Sequence, residues 1–111
     1  MATADHRNYA IENRELIAET NGLRVQVLTI GPHQCVPWHH HSNITDTFFC
    51  LEGPMVVETR QPDNTHEMRA GDRLNVPPHC AHTVFAAGGG RCKFVIVQGV
   101  GIYDYVPLKA F

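Results

Sequence analysis

Three consecutive histidines, His39-His40-His41, followed by Asp46 and much later by His82, are the residues of this chain whose types and spacing could do chemistry. On a β-strand, side chains alternate between faces with a period of two. His39 and His41 then project together, while Trp38 and His40 project from the other face. Two imidazoles a pleat apart can close on a single divalent ion. Imidazole nitrogen suits zinc, iron, copper and nickel alike, so the pair indicates a metal without naming it. A third ligand must come from a distant stretch. His82 is expected to supply it, with Asp46 either a fourth ligand or an acceptor beside a ligand histidine. Three imidazoles converging without an ion would repel one another when protonated, which favours ligation over ordinary barrel-filling histidines.

The elements that must position these residues read as strands throughout. Expected strands are Glu15–Thr20, Leu23–Ile30, the histidine segment, Thr47–Leu51, Met55–Arg60, Thr65–Ala70, Arg73–Val76, His79–Ala86, Cys92–Gln98 and Gly101–Val106. Asn21-Gly22, Gly31-Pro32, Ser42-Asn43, Gly53-Pro54 and Pro77-Pro78 punctuate them. No segment carries apolar residues at helical spacing for the length a helix needs. Short strands with frequent turn signals predict an all-β sandwich or barrel without substantial helix. The 111 residues suffice for a single domain over 1–111, with residues 1–14 as an N-terminal arm and 15–106 as barrel strands.

Bulk composition excludes several functions. A net charge of −2, with arginines scattered singly, gives no electrostatic case for nucleic acid or an anionic membrane. No apolar run approaches the roughly 20 residues of a membrane span. Met1–Ala10 lacks the apolar core of a signal peptide, so cytoplasmic residence is expected. The four cysteines show no CxxC pairing and read as reduced thiols.

Two spaced patterns then carry a family resemblance. The first, G(X)5HXH(X)3,4E(X)6G, is met by His39-His40-His41, four residues, Asp46 in place of Glu, and six more to Gly53. The second, G(X)5PXG(X)2H(X)3N, is met by Gly71, Pro77, His79 in place of Gly, and His82. Gly31 lies two residues further from His39 than the pattern has it, and Ala86 stands where Asn is usual. The chain therefore resembles a small single-domain cupin, which implies a double-stranded β-helix or jelly-roll barrel. The resemblance also implies a range of activities: dioxygenases, decarboxylases, lyases, isomerases, epimerases, cyclases and non-enzymatic binders.

Function is to be argued from the site, because one fold hosts many. The expectation is one divalent transition metal (Fe, Mn, Ni, Zn or Cu) held by His39, His41, His82 and Asp46. It would bind and activate a small carbonyl or carboxylate substrate, as a dioxygenase or as an isomerase or lyase. A non-catalytic sugar or small-acid binder is the alternative. Asp46 and His79 are the expected proton carriers. Phe48 and Cys50, on the face of Asp46, and Cys80, on the face of His82, are expected in the pocket wall. Arg24, Gln26 and Arg60 could anchor a substrate carboxylate. Sheet edges and an outer apolar face predict a homodimer, with Glu15–Thr20 pairing across subunits.

Overall fold

Asn21-Gly22 closes the first hairpin, with Gly22 at φ +88°, a conformation that side chains disfavour. The computed structural model describes residues 9–108. In it the hairpin joins β1 (Asn13–Thr20) to β2 (Leu23–Ile30), and β3 (Cys35–His40), β4 (Thr45–Glu52), β5 (Met55–Thr59) and β6 (Asn64–Met68) follow. After them come β7 (Arg73–Val76), β8 (His82–Ala86), β9 (Cys92–Gly99) and β10 (Val106–Pro107). Two five-stranded antiparallel sheets result, ordered β1-β2-β9-β4-β7 and β10-β3-β8-β5-β6. This is the all-β double-stranded β-helix expected. The helical content among the described residues is a single 3-10 turn at Ala87–Gly89. No helix among them is long and apolar enough to cross a membrane.

Most strand ends move by one or two residues, and three of the differences bear on the site. β1 begins at Asn13, because Asn13 and Arg14 continue the ladder opposite Thr29 and Leu28. Residues 13–14 thus leave the expected arm, whose residues 1–8 lie outside the described region. β8 begins at His82 rather than His79, since the turn after Pro77-Pro78 puts His79 at φ +67° and ends pairing there. The last expected strand shrinks to Val106–Pro107. Residues 101–105 instead form a strap whose polar groups bond to Gly22, Ser42 and His41 rather than to a ladder.

Each inward row of side chains is apolar at one end and polar at the other. On β9, Cys92, Phe94 and Ile96 lead to Gln98; on β2, Ile30 and Leu28 lead to Gln26; on β4, Cys50 and Phe48 lead to Asp46; on β8, Ala86 and Val84 lead to His82. Registers bring these polar ends together, with Asp46 opposite Gln98 and His39 opposite His82. The apolar ends form the core around Phe48, Phe94, Ile30, Met55 and Val57, all buried. Each such side chain contributes about 1.5–3 kcal/mol on leaving water. The core thus supplies the stability against which the polar end is held dry.

Candidate metal centre

The chain places His39, His41, His82 and Asp46 at the polar end of the barrel, all four buried. One ligand atom from each lies within 4.8 Å of every other. Alternation along β3 and one residue past its end turns His39 and His41 inward as expected, while His40 lines an outer cleft and Trp38 lies under Arg60, which also lines it. A register irregularity between Val36 and His39 re-aims the strand just before the histidines. The imidazole rings pack closely, His39 to His82 at 4.3 Å and His39 to His41 at 4.8 Å between centroids.

Backbone carbonyls settle the tautomers. Nδ1 of His39 faces Pro37 O at 2.7 Å, Nδ1 of His82 faces Cys80 O at 2.9 Å, and Nδ1 of His41 faces Asp104 O. A carbonyl can only accept, so each Nδ1 carries the proton and each Nε2 keeps a lone pair. Yet Nε2 of His41 and of His82 lie 3.0 and 2.9 Å from the same oxygen, Asp46 Oδ2. Without a cation those contacts require doubly protonated rings, two positive charges packed beside a third imidazole in a dry pocket. A divalent ion removes the conflict, because lone pairs and carboxylate would then address the ion. The donor set of three nitrogens and one oxygen fits a first-row transition metal.

Burial holds the His39 pKa down to about 3, helped by His82 and His41 beside it. Burial also opposes a charge on His41, but hydrogen bonding and the charge of Asp46 outweigh it and raise its pKa. For Asp46, burial pushes the carboxyl up, while bonds to His41 and His82 hold it well below the usual carboxylate range. The signs give a pH prediction for metal-free protein. His39 resists a proton that the unfolded chain takes near pH 6.5, so its contribution is lost as pH falls from about 6.5 towards 3. His41, with a raised pKa, contributes fully below 6.5, and Asp46 contributes until pH falls through its lowered value. Net stability should therefore drop on the order of 1 kcal/mol per pH unit between about 6 and 4. Urea titrations in chelator at pH 6, 5 and 4 measure it, and a flat profile would contradict the buried neutral His39.

Gln98 Nε2 donates to the other carboxylate oxygen, Asp46 Oδ1, at 3.1 Å, and its own Oε1 accepts from Gln26 Nε2 at 3.3 Å. Asp46 is thereby fixed in rotation. Gln98→Leu should weaken metal binding about 10- to 100-fold, the usual cost of losing a residue that orients a ligand. Chelator competition measures it; unchanged affinity would mean that Asp46 is held without Gln98.

A partly open cavity lies above the cluster; about 20 Å³ of it admits the centre of a water molecule. Leu28, Val36, Phe48, Val84, Phe94 and Ile96 form its apolar floor. The strap covers one side: Tyr105 stacks on His39 at 4.5 Å and 25°, and Tyr103 lies 5.4 Å from His41. Asp104 Oδ1 accepts from Ser42 N at 2.7 Å, Gly101 N donates to Gly22 O at 3.0 Å, and Leu108 N to Trp38 O at 3.0 Å.

Of the other expected site residues, Phe48 and Gln26 line this cavity and the rest do not. Cys50 lies four residues along β4 from Asp46, about 13 Å at strand rise, and is buried in the apolar core. Cys80 precedes β8, so alternation from His82 does not apply, and its Sγ donates to Arg60 O at 3.7 Å. His79, in its left-handed turn, donates its backbone N–H to His41 O at 2.7 Å while its ring faces His40 in the outer cleft. Arg60 lies in that cleft over Trp38 at 4.3 Å. Arg24 sits one ring removed from the cavity, 4.0 Å over Tyr103, with Glu19 at 3.8 Å. Arg14, Tyr9 and Gln98, not anticipated as site residues, do line it, as do Tyr103 and Tyr105. Gln98 had a readable signal, a polar residue ending the apolar alternation of β9.

Two antiparallel sheets closed around three histidines and a carboxylate define a small double-stranded β-helix protein with a candidate metal centre. A family model for the cupin domain matches residues 26–98, and the chain belongs to that family. Comparison with curated proteins gives no match. Among solved structures, an uncharacterized conserved protein with a double-stranded β-helix domain from Klebsiella pneumoniae is 24% identical, with 87% of this chain and 84% of that one covered and a TM-score of 0.72. A cupin-2 domain protein from Shewanella frigidimarina is 22% identical over 81% of this chain and 82% of that one, at a TM-score of 0.65. An oxalate oxidase in complex with the substrate analogue glycolate is 17% identical, covering 85% of this chain but 53% of that one, at a TM-score of 0.71. At these identities the likeness concerns the fold.

Proposed function

We propose that this protein is a metal-dependent enzyme acting on a small carbonyl or carboxylate compound. The observation that carries the reading is the convergence of His39, His41, His82 and Asp46, with each Nδ1 already satisfied by a carbonyl. These four residues would hold the ion, which when bound supplies Lewis acidity or, if redox-active, oxygen chemistry. The chain's own groups do the rest. The apolar floor excludes water, the Gln26–Gln98 pair fixes Asp46, and the tyrosines of the strap bound the mouth. Both oxygens of Asp46 are engaged by the histidines and Gln98, and His79 faces the outer cleft, so neither is proposed as the proton carrier.

The experiment is elemental analysis of protein expressed without a histidine tag, followed by oxygen-uptake and isomerisation assays on small diketones and keto acids. Bound iron with oxygen uptake supports a dioxygenase; zinc, nickel or manganese with turnover supports an isomerase or lyase. Protein that takes up no divalent metal sinks the proposal. A second reading, a non-catalytic binder, draws support from Tyr105 stacked directly on His39, and bound metal without any turnover would favour it. We also propose a cytoplasmic homodimer. Leu16 and Ile17 on edge strand β1, and Phe49 and Leu51 on the outer face of β4, are exposed apolar side chains that a second copy would cover. A monomer mass by sedimentation at micromolar concentration would refute the dimer.

A further inference from the structure

Among the described residues, the wall of the metal cavity contains one side chain with a permanent positive charge, Arg14. Its backbone pairs with Leu28 across the β1–β2 ladder, so it shares the inward face that Leu28 lines. Among the described residues its hydrogen bond is from Nη2 to Tyr9 Oη, at 3.1 Å, and its guanidinium carbon lies 5.7 Å from the Tyr9 ring. The acids that might have neutralised it are committed elsewhere. Glu12 is held by both Nε and Nη2 of Arg91, Glu19 lies beside Arg24, Asp46 faces the histidines, and Asp104 holds Ser42. Arg14 is therefore a half-buried guanidinium with no ion pair among the described residues, retained over an apolar cavity.

A guanidinium cannot lose its charge, and drawing it partly out of water without an anion is costly. Its rigid fork of donors matches the two oxygens of a planar carboxylate. We infer that Arg14 receives the carboxylate of a small organic acid whose other end faces the His39–His41–His82–Asp46 cluster. Arg14 thus sets the substrate class as acids rather than neutral carbonyl compounds. This deepens the proposed function and rests on it for the identity of the cavity as the substrate site. Of the expected anchors, Arg24 and Arg60 stand outside that cavity against Tyr103 and Trp38, and Gln26 lines it with its amide engaged by Gln98.

The test is calorimetric titration of tag-free, zinc-loaded protein with malonate and succinate, beside malonamide and succinamide as neutral isosteres. Wild-type protein should prefer at least one acid to its diamide. Arg14→Gln should weaken that acid about 10- to 100-fold, leave the diamide unchanged and keep the zinc content. Arg14→Lys, which retains charge without the fork, should fall between. Tyr9→Phe should leave the preference for acid in place, since it removes only the contact that steadies Arg14. Acid and diamide falling together in Arg14→Gln, or neither changing, overturns the inference, as does failure of both acids to bind wild-type protein. Absence of zinc uptake would defeat the metal reading separately. The same acids titrated into metal-free wild-type and Arg14→Gln protein would then still decide the role of Arg14.

Discussion

His82→Ala is expected to lower the affinity for zinc by roughly two to three orders of magnitude. A structural zinc site contributes roughly 10–16 kcal/mol, so each of four ligands accounts for about 2.5–4 kcal/mol. At about 1.4 kcal/mol per decade, that is a loss of roughly 60- to 700-fold. His82 is the choice because it is fixed on both sides, Nδ1 by Cys80 O and Nε2 beside Asp46 Oδ2. It is also the ligand that arrives from the distant strand, so its loss tests convergence itself. The measurement is competition with a chromophoric chelator, with elemental analysis after dialysis. His40→Ala is the control, a histidine between two ligands whose ring faces the outer cleft. Equal zinc retention by wild type and His82→Ala would rule out the centre. Equal loss in both variants would mean that His40 also bears on the site, contrary to its place in the outer cleft.

How far the sequence led to this centre depends on the kind of signal each residue left. His39 and His41 were legible from alternation alone, because a period of two holds wherever the chain is a strand. His82 was legible through its spacing from Gly71 and Pro77. The spacing of Cys80 from His82 suggested a shared face, but the strand begins at His82, so period-two alternation does not extend back to Cys80. That conformation also explains how His79 stands at a usual glycine position: the backbone keeps the glycine-like turn, and the ring is sent outward. Arg14, Tyr9 and the strap tyrosines left no local signal. Arg14 reaches the cavity only through its register with Leu28, and Tyr103 and Tyr105 only because residues 101–105 leave the ladder. Registers and strap paths are long-range outcomes, whereas strand periodicity is local. The sequence accordingly revealed the cluster that could hold a metal and concealed much of the cavity wall around it.

That division between a polar and an apolar end of the barrel makes the second large prediction. Phe94→Ala should cost about 3–5 kcal/mol of folding stability, the usual loss when a buried phenylalanine is cut to alanine. Phe94 is fully buried on the central strand of its sheet, opposite Leu28 on one side and Cys50 on the other, with its ring 5.6 Å from Phe48. A domain of this size holds about 5–15 kcal/mol in total, so the variant should stand near the margin. At a urea slope of about 2 kcal/mol/M, a loss of about 4 kcal/mol moves the midpoint by about 2 M. Phe49→Ala, one residue from Phe48 but 38% exposed, should move it far less. Both are measured in chelator, so that metal does not contribute. The folded fraction of Phe94→Ala should still bind zinc like wild type, because Asp46 is oriented by Gln98 and the histidines by carbonyls, none of which Phe94 supplies. A variant that kept its urea midpoint but lost zinc would show that the apolar floor positions the ligands directly. The two ends of the barrel would then be one mechanical unit rather than a core and a site.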